Sequence, residues 1–172
     1  EDLHLGTIVS RGTRLVLVAQ AWNGANWSIR TYGFETANGI FELLDKGVLE
    51  TPAGSGLALL GPAADRVALG PWGQGHLMVV HGRIVADDSR AVFLAGVSDS
   101  GSVVSTTAIG ATSQPRFPEL AARPGGGTWL ASIVPNGGDN WLFVRDMAHP
   151  AGNPEGLDAT ASLARSEEHT SE

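Results

Sequence analysis

The chain contains no cysteine, a single lysine (Lys46) and a single tyrosine (Tyr32) among its 172 residues. Without cysteine there is neither disulfide nor thiolate, which excludes a stapled scaffold, a thiolate metal site and a cysteine nucleophile. The same absence fits cytoplasm, periplasm and cell exterior equally. Basic residues are scarce as well: 11 Lys plus Arg stand against 18 Asp plus Glu, for a formal net charge of −7. No basic stripe relieves that balance, so a nucleic-acid partner and an anionic membrane surface are both disfavoured. No apolar stretch reaches the roughly 18 residues that a membrane-spanning helix requires. Glu1, Asp2, Leu3 and His4 lack the basic start of a secretion signal.

What the chain does have is glycine. The 23 Gly and 9 Pro speak for many turns and few long helices. With 42% hydrophobic and 17% charged residues, the composition suits a packed core rather than disorder. The length is that of one ordinary domain.

Self-similarity organises the rest. Residues 5–18, 66–80 and 118–133 each read as apolar strand, glycine turn, apolar strand. Aligning Leu15, Leu77 and Leu130 gives spacings of 62 and 53 residues, the size of a four-stranded propeller blade with variable loops. A second feature repeats independently: Asn23-Gly24-Ala25-Asn26-Trp27 is echoed by Asn136-Gly137-Gly138-Asp139-Asn140-Trp141. Trp27 and Trp141 lie 114 residues apart, against 115 for Leu15 and Leu130. In the middle copy the corresponding turn falls at Asp87-Asp88-Ser89. Further turns at 36–39, 98–101 and 150–153 close each copy. A helix-like stretch at 41–49 is short and glycine-bounded, and reads as strand and loop.

These observations predict an all-β fold of propeller-like blades, each of four antiparallel strands and together incomplete, with a β-sandwich as the alternative. The blades are expected at about 3–57, 58–113 and 114–164 in a single repeat domain covering 1–164. Residues 165–172 (RSEEHTSE) resemble the translation of a common short-read sequencing adapter at every position. They are set aside from fold reasoning, and the remainder is read as a fragment of a longer, metagenomic reading frame.

Residues 114–127 (QPRFPELAARPGGG) and 144–152 (VRDMAHPAG) resemble the degenerate β-propeller repeats of bacterial surface and secreted proteins. That resemblance implies an extracytoplasmic location and a binding or structural role. It also implies further blades of the same chain, because three cannot close a ring of four to eight.

A search for chemistry returns no catalytic residue. His4, His76, His81 and His149 are scattered; His76 and His81 fall on opposite faces of one strand and read as surface histidines. No calcium loop is present. Residues 97–102 (VSDSGS) come nearest to the Asp-box turn of sialidase-type propellers but lack its leading Ser/Thr and its tryptophan. Gly54-Ser55-Gly56 is no nucleophile elbow, and the runs at 73–75 and 125–127 are turns without a following Lys-Ser/Thr. Neither metal nor cofactor is therefore expected. The ligand-binding candidates are Trp27 with Asn26 and Trp141 with Asn140. Equivalent tryptophans pack between neighbouring blades, or form a lectin-like platform whose asparagines hydrogen-bond a sugar. Trp22, Trp72 and Trp129, near turns, fit either role. The expected function is a non-enzymatic binding or structural module for an unknown protein or carbohydrate. The alternative is a fragment of a carbohydrate-active propeller enzyme with its catalytic residues elsewhere.

Overall fold

Glycine and asparagine at the predicted turns set the strand pattern. The computed structural model describes residues 2–51, 54–62, 67–109, 116–124, 127–136, 139–147 and 163–165. Strand β1 (Asp2–Arg11) reverses through Gly12, at φ 60°, into β2 (Arg14–Trp22), and a longer turn leads to β3 (Trp27–Ala37). Asn38 and Gly39, with φ of 52° and 77°, then make the tight turn whose handedness matches the strand twist, and β4 (Ile40–Leu49) returns. The segment with a helix-like pattern is thus one continuous strand.

The remaining strands are β5 (Leu57–Leu59), β6 (Ala68–Trp72), β7 (Gly75–Ile84), β8 (Arg90–Val97), β9 (Val103–Ile109), β10 (Arg116–Ala122), β11 (Thr128–Asn136), β12 (Asp139–Met147) and β13 (Leu163–Arg165). They form three antiparallel sheets. The first runs β1-β2-β3-β4 and the third β10-β11-β12-β13. In the second, β7-β8-β9 follow in order, and β5 and β6 share the free edge of β7 end to end. Leu57–Leu59 lies opposite 82–84, and 68–72 lies opposite 75–79. β13 takes in Arg165, the first residue of the adapter-like segment. The described residues contain no helix, hence none long and apolar enough to cross a membrane.

The second sheet lies between the other two. Met78, Val80, Phe93 and Val97 on one of its faces share a core with Val16, Val18, Ile29 and Leu49 of the first sheet. Leu77, Val79, Val92 and Leu94 on its other face share a core with Leu130 and Met147 of the third. The eight consecutive buried positions 75–82 of β7 are the signature of a strand covered on both faces. Each large side chain so buried contributes roughly 1.5–3 kcal/mol. The fold is all-β, and its stacked antiparallel sheets suit either propeller-like blades or a layered sandwich.

Two sequence expectations need correction. Leu77 and Leu130 meet in one core, whereas Leu15 lies on the face of the first sheet turned away from its neighbour. Going along the stack, Leu15 and Leu130 therefore face one way and Leu77 the other. The position equivalent to them is Met78, one residue on, because a slip of one residue exchanges the faces of a strand. His76 and His81 do occupy opposite faces, but both are buried, at 4% and 2% exposure. They are not surface histidines.

Candidate functional site

The turn between β2 and β3 is built around Asn23, whose backbone N–H donates to the Asn26 carbonyl at 3.3 Å. Asn23 Oδ1 accepts hydrogen bonds from the backbone N–H groups of Ala25 (2.9 Å) and Asn26 (2.8 Å), and Gly24 takes φ 99° between them. This closure sets Trp22 directly opposite Trp27 in the strand register, with ring centroids 5.4 Å apart. His4 of β1 completes an aromatic cluster, its ring 5.5 Å from that of Trp27. Trp27 is half-buried. It packs against the core between the first and second sheets, and its indole edge lies on Gly61, where a Cβ would stand 2.5 Å from Cε2.

The unburied part of Trp27 lies between two adjoining hollows. One, of about 410 Å³, is lined by Trp22, Asn26, Trp27, Leu60, Arg83 and Asp88. The other, of about 370 Å³, is lined by Asn23, Asn26, Trp27, Ser28, Glu50 and Thr51. Asn26 is exposed beside both. Arg83 donates to Asp88 at 2.7 Å, and Asp87 accepts from the backbone and hydroxyl of Ser89, which lowers its pKa. An aromatic surface is thus ringed by an amide, a guanidinium and carboxylates.

A third hollow, of about 420 Å³, opens where β1, β6 and β10 end together, between Arg11, Trp72, His76 and Arg123. His76 Nε2 lies 3.2 Å from Asp99 Oδ1, and the Arg11 guanidinium lies 3.8 Å from the other carboxylate oxygen while donating to the Gly73 carbonyl at 3.1 Å. Asp99 sits in the turn at 97–102, and its carboxylate, reached by Arg11 of the first sheet and His76 of the second, serves the contact between these sheets. Burial pushes the His76 imidazole below its ordinary 6.5, outweighing the opposing pull of Asp99.

A histidine that resists protonation when folded takes up its proton more readily when unfolded. Stability therefore falls as pH drops through 6.5 toward the lower folded value. The urea midpoint is expected to decline between about pH 7.5 and about pH 5. In His76→Gln that decline should be shallower, and an unchanged slope would remove His76 as its source.

Of the sequence candidates, Trp27 and Asn26 line the same pair of hollows. Asn140 and Trp141 are placed only by their backbone register, opposite Pro135 and Val134 in β12, and their side chains lie outside the described residues. The turns at 125–126, 137–138 and 150–153 lie outside them too. Sequence reading missed His4, Trp22, Arg83 and Asp88 as neighbours of Trp27. The signal for Trp22 was present: a tryptophan on each side of a four-residue turn is a cross-strand pair. Nothing local marked His4, which comes from another strand, or Arg83 and Asp88, which come from another sheet. Among the described residues no three His, Asp or Glu side chains converge as a metal site. Comparison with protein-family models, with curated proteins and with solved structures returns no match.

Proposed function

We propose that this chain is a non-enzymatic, propeller-like binding module and that its ligand is a carbohydrate held at Trp27. The observation that supports this reading is the meeting of a half-buried indole with two adjoining hollows, beside the exposed Asn26 amide and the Arg83–Asp88 pair. Sugars present apolar C–H faces that lie against an aromatic ring and hydroxyls that both donate and accept. Asn26 offers both kinds of partner, Arg83 donates and Asp88 accepts. A bacterial secreted or surface setting belongs to the same proposal and rests on the repeat resemblance of 114–127 and 144–152.

Calorimetric titration with a panel of neutral oligosaccharides tests it. Saturable binding is expected with a Kd of about 1 mM, typical of one shallow site worth about 4 kcal/mol. Asn26→Ala should weaken it about fivefold, the value of roughly 1 kcal/mol for one lost hydrogen bond. Absence of binding across the panel, or equal affinity in the variant, would remove carbohydrate from this site. Release of reducing sugar from the same oligosaccharides would favour the enzymatic alternative.

A further inference from the structure

The two ends of the stack carry a different message from the aromatic site. On the first sheet, the face turned away from its neighbour presents Leu3, Leu5, Ile8, Phe41, Leu43 and Val48, each between 45% and 70% exposed. The register places them together. Leu3, Leu5 and Ile8 oppose Ala21, Ala19 and Leu17, the residues alternate to the core-facing Val16 and Val18. Phe41, Leu43 and Val48 oppose Thr36, Phe34 and Arg30, alternate to the core-facing Ile29. At the other end, Trp129 and Ile133 point away from the core that holds Leu130, and Leu142, 49% exposed, pairs with Ile133. A contiguous apolar face of the extent seen on the first sheet is uncommon on a free monomer, and on the third sheet Trp129, beneath the Arg123 guanidinium, and Leu142 form a smaller one.

The middle of the stack shows how such faces are used. The first sheet sets one face on the second, and the second sets its opposite face on the third, always in the same order. β1, β6 and β10, the inner strands, also end together around one hollow, so the three sheets run in the same sense. Among the described residues, the outer face of the first sheet and the outer face of the third are therefore an unmatched pair of the kind that already meets twice within the chain.

We infer that a second copy of this chain covers both faces, each copy laying the outer face of its third sheet on the outer face of its partner's first sheet. The contact is head to tail. Made twice about a two-fold axis it closes, and the six sheets that result fall within the four to eight of closed propellers. Continuity with the two interfaces inside the chain argues for this occupant. It goes beyond the carbohydrate reading, and its test measures mass rather than sugar.

Light-scattering mass measurement on the 172-residue chain at micromolar concentration should give about twice 17.9 kDa. Leu5→Glu and Leu142→Glu each place a charge on one outer face, at side chains exposed enough to leave the fold intact, which far-UV circular dichroism verifies. Each variant alone should be monomeric. An equimolar mixture should regain a dimer, because the sound third-sheet face of the Leu5→Glu copy meets the sound first-sheet face of the Leu142→Glu copy. A monomeric parent chain overturns the inference. So does a mass that climbs with concentration beyond the dimer, which signals an open filament. Dimers insensitive to Leu142→Glu overturn it as well, since first-sheet faces would then be meeting each other.

Discussion

Gly33→Ala is expected to lower the free energy of unfolding by about 3 kcal/mol or more, among the largest effects of any single methyl in this chain. A Cβ at Gly33 would stand 1.9 Å from the carbonyl oxygen of Ser100 and 2.6 Å from the nitrogen of Gly101. Both are backbone atoms, so no side chain can swing aside. The closeness is reciprocal: Gly101, at φ 97°, brings its own Cα hydrogen against Gly33 N, and Thr31 Oγ1 donates to the Gly101 carbonyl. β3 and the turn between β8 and β9 thus touch main chain to main chain. Ser102 closes the same seam by donating to Asp45, which holds that carboxyl below its usual range. Forcing a methyl between them must part the first and second sheets. Urea denaturation measures the loss, with Gly12→Ala as the control. There a Cβ meets nothing within 4 Å and only the φ of 60° is strained, at about 1–2 kcal/mol. If Gly33→Ala costs no more than that control, the two backbones are not in contact.

Trp27→Ala should abolish carbohydrate binding in the calorimetric assay and also destabilise the chain by about 2 kcal/mol, less than for a fully buried tryptophan because part of the side chain stays accessible. The two losses are separable. Trp27→Phe restores a ring against Gly61 and the core while shrinking the surface between the two hollows. It is expected to recover most of the stability and only part of the affinity. Should Trp27→Ala retain full affinity, Trp27 is a wedge between sheets and the sugar site lies elsewhere.

Hairpins were the most legible part of the sequence, because a turn is specified by the few residues within it. Asn38-Gly39, Gly73-Gln74 and Asp87-Asp88-Ser89 reverse the chain where their side-chain chemistry and permitted φ angles say they should. Facing was less legible. Parity along a strand has no meaning until a partner sheet is known, and register shifts between Leu5 and Thr7, Gly33 and Phe34, and Gly96 and Val97 reset it without any local sign. Leu15 and Leu77 illustrate the first point: β2 and β7 run unshifted against β3 and β8, and only the neighbouring sheets show that Met78 rather than Leu77 shares the facing of Leu15. The three residues of β5 escaped notice because so short a strand has no periodicity of its own and exists only through β7. Burial of His76 was hidden for a similar reason: Asp99 and Arg11 lie 23 and 65 residues away in sequence. Of the candidate site, Trp27 and Asn26 could be read from their own hairpin, and the residues across from them could not.

β4 has a consequence for how the chain behaves in company. Among the described residues it pairs only with β3, so backbone donors and acceptors line its other edge, apart from the Lys46 N–H, which donates to Asp45 Oδ1. With Ile40, Phe41, Leu43 and Leu44 exposed along it, such an edge invites a strand from any passing chain. What stands against that is Glu42, Asp45 and Lys46, spaced through the same ten residues, together with the bulge opposite Gly33 and Phe34 that breaks the flatness a zipper needs. Resistance of this edge to strand addition accordingly rests on charged side chains within one strand, and the lone lysine of the sequence is one of them.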